Sequence, residues 1–189
     1  MNLPPLILAS ASPRRSELLR QLGVNFTVVP SDAAEIHDDQ LTAREISQLN
    51  AYRKARAVAK EFPDALVLGA DTLVYLGTTL FGKPADLEEA YRMLEQLSGQ
   101  THEVVTAICL LHLRTHRQKV FFDSTKVTFR RLDETQIRRY LSQVDTLDKA
   151  GAYGIQEHGD LIVEKISGSY TNVVGLPVER LRGELEAWG

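Results

Sequence analysis

Two adjacent arginines stand where a helix is expected to begin. Residues 10–19 read SASPRRSELL, and Ser12 followed by proline is typical of a helix N-terminus. That end of a helix carries partial positive charge, so Arg14 and Arg15 are each unfavourable there by roughly a few tenths of a kcal/mol. An anion bound by free backbone N–H groups, serine and both guanidinium groups would offset this cost. The alternative is that one arginine lies on the surface and the other pairs with Glu17 or a distant carboxylate.

An acidic residue interrupts the apolar segment at 66–75, which reads LVLGADTLVY. Aspartate is disfavoured in strands, and Asp71 would be costly to bury without a partner. A carboxylate in this position is typically either a ligand for a cation or a general base at the end of a sheet. The alternative is an aspartate that caps a turn after Gly69 and takes Thr72 as its hydrogen-bond partner.

Three further segments carry charged candidates. Residues 77–84 (GTTLFGKP) have the G-x-x-x-x-G-K spacing of a P-loop, but Pro84 replaces the Ser or Thr that would bind Mg²⁺. Lys83 then remains in a stiff turn, either as a phosphate contact or as an ordinary loop lysine. Lys54 lies on a basic helix, and Glu35 belongs to an acidic run before it. The acidic run could supply a ligand for a hard metal ion, but basic helix faces and acidic loops are both common on solvated surfaces.

A glycine-rich region follows near the C-terminal end. Five of the 12 glycines lie between 151 and 175, in the strings DKAGAYGIQ and GSYTNVVGLP. Glycines let the backbone approach a ligand closely. The amide of Gln156 is both a donor and an acceptor and could read a nucleobase. The alternative is a set of tight turns between strands.

The predicted elements that must position these residues alternate between strands and helices. A long hairpin at 102–129 does not suit a purely parallel sheet, so the pattern indicates an α/β fold around a mixed sheet. Capping boxes at Thr42 and Asp133 predict two helix starts. The predicted strands are 6–10, 26–30, 65–76, 102–113, 119–129 and 161–166, and the predicted helices are 13–22, 42–61, 86–99, one from 133 and one from 177.

Length and composition limit the function classes. The chain has 189 residues, 43% of them hydrophobic, which predicts a single domain over 1–189. Its net charge of −3 argues against binding long nucleic acids but not against binding a small polyanion. The single Cys109 excludes an internal disulfide and a cysteine-rich zinc site. No signal peptide or membrane-spanning segment is predicted, so we expect a cytoplasmic protein with no membrane partner.

Five strings in this order resemble the Maf family of nucleoside triphosphate pyrophosphatases. They are SASPRR, GADT, GKP, DKAGAYGIQ and GSY…VVGLP, and the resemblance covers residues 6–185. It implies hydrolysis between the α- and β-phosphates with a divalent metal cation, Mg²⁺ or Mn²⁺, as cofactor. The implied fold is an elongated mixed β-sheet flanked by helices, with two lobes and a central cleft. A homodimer is also implied.

The resemblance also assigns roles to individual residues. Asp71 matches the general base of the family or a metal ligand, and Glu35 matches a carboxylate on the metal side. Thr72 and Gln156 match positions that read a pyrimidine, and together with Arg14 they resemble the subgroup that acts on dTTP and UTP. The positions expected to hold phosphates are Ser10, Arg14, Arg15, Lys54 and Lys83.

Two residues depart from the family pattern. Arg53 precedes Lys54 where the family commonly has Glu, and Glu157 follows Gln156 where it commonly has Gly. Asp160 follows nearby, and these extra carboxylates could change the edge of the base pocket or merely face solvent. An alternative function is a nucleotide-binding regulatory protein of septum or division control with little turnover.

Overall fold

The computed structural model describes residues 3–189 of the chain. The strands are β1 (Leu6–Leu8), β2 (Phe26–Val28), β3 (Leu66–Leu76), β4 (Thr79–Phe81), β5 (Thr101–His112), β6 (Arg117–Phe129) and β7 (Val163–Ser167). The helices are α1 (Pro13–Arg20), α2 (Ala43–Glu61), α3 (Leu87–Leu97), α4 (Glu134–Leu141), α5 (Gly159–Ile162), α6 (Tyr170–Val174) and α7 (Val178–Glu186), and a 3-10 turn lies at Ala150–Ala152. Within residues 3–189, no helix is both long and apolar enough to span a membrane.

The strands form one mixed sheet in the order β2-β1-β3-β5-β6-β7, with β4 paired to β3. β1 pairs parallel with β2 and β3, whereas β3–β4 and β6–β7 are antiparallel. β5 and β6 are neighbours joined by only four residues, which is too short for a parallel crossover and makes them the expected hairpin. The predicted α/β fold around a mixed sheet is therefore confirmed.

The described chain divides into two compact units. The first unit contains the residues up to Asp71, Thr106–Asp123 and Gly175–Gly189, and the second contains Thr72–Val105 and Ser124–Val174. β3, β5 and β6 thus each contribute residues to both units. The division falls directly between Asp71 and Thr72.

In the first unit, α2 packs directly on the sheet at Gly69. A Cβ atom on Gly69 would lie 2.2 Å from the carbonyl oxygen of Ala51 and 2.7 Å from the backbone nitrogen of Ala55. Only glycine allows this close approach, which explains its place two residues before Asp71. Alanines of α2 and apolar residues of β1, β3 and β5 form the core at this contact.

In the second unit, α3 and α4 pack against β3, β5 and β6 around a separate core. An aromatic group of His102, Phe129 and Tyr153 lies within it, with ring centroids 4.8 to 5.4 Å apart in edge-to-face geometry. Tyr153 belongs to the glycine-rich string DKAGAYGIQ, so this core holds the middle of that string in place.

The helix starts agree with the capping signals. Thr42 and Asp133 each form the predicted capping box, and Asp86 accepts a hydrogen bond from the backbone of Glu89. The strand predicted at 161–166 begins later, because a short helix at Gly159–Ile162 precedes β7. β4 was not predicted, since its three residues lie inside the string that resembles a P-loop.

Candidate active site

Asp71 is a buried carboxylate, with the residue only 3% exposed on β3. Its Oδ1 accepts a hydrogen bond of 2.6 Å from the Nζ of Lys54 on α2. Burial raises the pKa of Asp71 above its usual value, and the charge and hydrogen bond of Lys54 act in the opposite direction. The carboxylate is thus buried and has one close counter-charge.

Lys54 joins Asp71 to a second carboxylate. Its Nζ also donates to Oε1 of Glu35 at 2.8 Å, and the Lys54 side chain is only 14% exposed. Glu35 is the more open of the two acids, with 34% of its side chain exposed. Glu35, Lys54 and Asp71 therefore form one contiguous group, although up to 36 positions separate them in the sequence.

Asn50 supports this group and was not identified from the sequence. It is 1% exposed and lies one helical turn before Lys54, on the same face of α2. Its side chain bonds both backbone groups of Ile36, accepting from the N–H at 2.8 Å and donating to the carbonyl at 3.3 Å. Its Nδ2 also lies 3.4 Å from Oδ2 of Asp71. Asn50 therefore fixes the backbone next to Glu35 and reaches Asp71.

The start of α1 forms a second polar group in the first unit. Nε of Arg15 donates to the carbonyl of Gly175 at 2.9 Å, and its Nη1 donates to Oγ of Ser10 at 3.2 Å. The same Oγ accepts from the backbone N–H of Ser12 at 3.3 Å. Burial lowers the pKa of Arg15, and the negative charge of Asp71 counteracts this effect.

The first turn of α1 has the features expected of an anion site. It contains no acidic residue, and the side chain of Ser12 makes no capping hydrogen bond. Its backbone N–H groups are therefore not satisfied by a side-chain cap. Arg14 is half-buried in this turn.

The remaining predicted site residues belong to the second unit. Thr72 is half-buried on β3, whereas Lys83 and Gln156 are exposed. The backbone N–H of Gly151 donates to the carbonyl of Gly82 at 3.0 Å. This bond ties the segment that carries Lys83 to the glycine-rich string that carries Gln156.

The carboxylates suit a hard cation. Within residues 3–189, no group of three or more His, Cys, Asp or Glu side chains could hold a metal ion by itself. Asp71 and Glu35 nevertheless offer two carboxylates next to one ammonium group. Mg²⁺ commonly takes one or two carboxylates and completes its shell with water and substrate phosphates. Asp71 and Glu35 therefore fit a cation whose remaining ligands are water and substrate phosphates.

Comparisons with known proteins show the family to which the chain is similar. The profile of the family described as Maf-like protein matches residues 5–188. A protein of Exiguobacterium sibiricum named dTTP/UTP pyrophosphatase is 48% identical over 185 residues, 98% of this chain and 93% of its own. A protein of the same name from Alkaliphilus oremlandii is 48% identical over 177 residues, 93% of this chain and 92% of its own.

A solved structure of a HAM1 protein from Coxiella burnetii shares the fold. The TM-score is 0.56 at 17% sequence identity, covering 98% of this chain and 100% of that one. The family profile and the identities to its relatives extend over almost the whole chain. This chain therefore belongs to the Maf-like protein family.

Proposed function

We propose that this protein is a nucleoside triphosphate pyrophosphatase that acts on dTTP and UTP. The observation that carries the proposal is the buried carboxylate of Asp71 in contact with Lys54, which also binds Glu35. Relatives with 48% identity are named dTTP/UTP pyrophosphatase. The products would be the nucleoside monophosphate and pyrophosphate.

Asp71 is the proton acceptor in this proposal. The oxygen of a water molecule forms a bond to the α-phosphorus, and the bond from that phosphorus to the oxygen bridging to the β-phosphorus breaks. The electron pair leaves with pyrophosphate, and the water proton passes to the Asp71 carboxylate. Burial raises the pKa of this group, which makes it a stronger base than an exposed aspartate.

The cationic residues would neutralise the triphosphate. The first turn of α1 offers backbone N–H groups and the guanidinium of Arg14, and Arg15 is oriented by Ser10 and Gly175. An ammonium group has three donors, and Lys54 uses two of them on carboxylates, so one is left for a phosphate oxygen. Exposed Lys83 is proposed as a further phosphate contact.

A divalent cation would be held by Glu35, with Asp71 as its second ligand in the alternative in which Asp71 does not accept the proton. When bound, it would supply charge neutralisation of the phosphates and a lower pKa for the attacking water. Thr72 and Gln156 are proposed to read the pyrimidine through hydrogen bonds. A wrong base would leave such groups unpaired, at a cost of about 1–3 kcal/mol.

The test is a panel of purified protein with each ribo- and deoxyribonucleoside triphosphate and either Mg²⁺ or Mn²⁺. We expect dTTP and UTP to be cleaved fastest, with one pyrophosphate and one monophosphate released per turnover and none after chelation of the metal. Release of inorganic phosphate as the primary product would contradict the proposal. Tight binding without turnover would favour the regulatory alternative.

Three features of the family resemblance stay predictions. They are a homodimeric state, a cytoplasmic location, and a choice between Mg²⁺ and Mn²⁺. Size-exclusion chromatography with light scattering tests the first, and the nucleotide panel tests the third.

A further inference from the structure

Gln156 lies in a tight turn whose two ends are held separately. The backbone N–H of Glu157 donates to the carbonyl of Gly154 at 3.3 Å, so Gln156 is the third residue of a four-residue turn. The Gln156 side chain is exposed. Its direction therefore depends on what fixes Gly154 and Glu157.

The first end of the turn is bonded to Tyr140. The Tyr140 hydroxyl accepts from the backbone N–H of Gly154 at 3.0 Å and donates to its carbonyl at 3.3 Å. Tyr140 itself is fully buried on α4, and burial raises its pKa to about 12, so its proton is retained. Both backbone groups of Gly154 are thus fixed by one buried side chain.

The second end is held by Lys149, a lysine that is only 4% exposed. Its Nζ donates to the backbone carbonyl of Asp145, to a carboxylate oxygen of Asp148 at 2.8 Å, and lies 3.2 Å from Oε1 of Glu157. Lysine is rarely this buried unless it is paired. All three of its donors have acceptors, so its position is fully specified.

The turn also packs on the aliphatic stem of Lys149. A Cβ atom on Gly154 would lie 2.7 Å from Cε and 3.0 Å from Cδ of Lys149. Gly154 is not among the residues with a left-handed φ, so its backbone would accept another amino acid. An alanine at this position would therefore have to displace the lysine stem, whereas the backbone conformation would not oppose it.

We propose that Lys149 is a positioning residue for Gln156, and that Glu157 adds an ion pair by which this chain anchors the far end of the turn. The proposal rests on the base-reading role proposed for Gln156. The ion pair joins Lys149 to the residue that directly follows Gln156 in the sequence. Lys149 acts through the turn and not by touching the nucleotide.

The first test removes each contact and measures kcat and KM for dTTP, UTP and GTP. Glu157→Gln keeps the side-chain shape and removes the charge. The ion pair of Glu157 with Lys149 is partly exposed, so we expect KM for dTTP to rise about two- to five-fold with kcat within about twofold.

Lys149→Met removes every polar contact of the Lys149 side chain. We expect about a tenfold or larger rise in KM and a smaller ratio of pyrimidine to purine activity. Asp160→Asn, an exposed acid in the same region, is the matched control and should behave as the wild type.

The second test uses the packing of Gly154 on Lys149. Gly154→Ala should raise KM by displacing the stem, and it should add little in a Lys149→Ala background, where the stem is absent. Additive effects of the two substitutions would overturn the proposal. The other contrary outcome for these variants is a lower melting temperature with an unchanged KM and an unchanged ratio of pyrimidine to purine activity. That outcome would also overturn the proposal, because a merely structural role predicts it.

A readout that does not depend on activity separates this proposal from the proposed function. Hydrogen exchange of the Gly154 amide should accelerate in Lys149→Met and in Glu157→Gln, but not in Asp160→Asn. If Gln156→Ala leaves the base ratio unchanged, the base-reading role is wrong, and the exchange rates then decide whether Lys149 positions the turn. Unchanged exchange in both variants would overturn the positioning role.

Discussion

The Nζ of Lys54 lies 2.6 Å from Oδ1 of Asp71, closer than its 2.8 Å contact with Glu35. The lysine is therefore the direct counter-charge of the buried carboxylate proposed as the base. The basic helix pattern around Lys54 is typical of a solvated surface, and the family resemblance implies only a phosphate contact for this residue. In the structure, Lys54 offsets the cost of burying the charge of the carboxylate that we propose as the base.

Replacement of the proposed base separates activity from stability. Asp71→Asn should reduce turnover by about 10²-fold or more, as expected for a lost general base. Its melting temperature at neutral pH should be equal to or above that of the wild type. The pKa of Asp71 is raised in the folded state, so ionisation at neutral pH costs stability, and the amide removes that cost. Full turnover in this variant, measured against the exposed control Asp39→Asn, would remove Asp71 from the mechanism.

Removal of Lys54 should have the opposite effect on stability. Lys54→Met leaves Asp71 buried and charged without its closest partner, so we expect the free energy of unfolding to fall by about 3 kcal/mol. In an Asp71→Asn background, Lys54→Met should lower the free energy of unfolding by a smaller amount, since no buried carboxylate charge remains. Urea unfolding of the wild type, both single variants and the double variant gives the coupling, expected at roughly 1–3 kcal/mol. A coupling near zero would show that the pair is not energetically linked.

Asn50 offers a test of how the acidic residues are held. Asn50→Leu removes both bonds to the backbone of Ile36, leaving half-buried groups unpaired, and should lower the free energy of unfolding by about 2 kcal/mol. We also expect kcat/KM to fall roughly tenfold, because Glu35 loses its fixed place next to Lys54. Gln48→Leu changes an amide on the same helix and is the control. Equal losses in the two variants would argue against a specific role for Asn50.

The sequence predicted local features better than the contacts between distant segments. The capping box of Thr42 needs only residues three apart, and the structure contains it. Asp71 and Lys54 could be selected as candidates, but their contact depends on the close approach of α2 at Gly69, which no spacing shows. Asn50 was missed because its partner is a backbone 14 positions away. The available signal was weak: asparagine is a poor residue for a helix interior unless its side chain has a use.

The buried His102 should make the protein sensitive to mild acid. Its Nε2 bonds the hydroxyl of Tyr153 at 2.8 Å, and burial lowers its pKa from 6.5 to about 4. Between these values the unfolded chain binds a proton that the folded protein does not, so the free energy of unfolding falls as the pH decreases from 6.5 to 4. The full effect is about 3 kcal/mol.

His102→Phe tests this prediction. It should lower the free energy of unfolding at pH 7 through the lost hydrogen bond, and it should flatten the decline of that free energy between pH 6.5 and 4. The exposed control His37→Phe should leave the decline unchanged. Thermal unfolding across this pH range measures both slopes, and an equally steep decline in His102→Phe would show that another group is responsible.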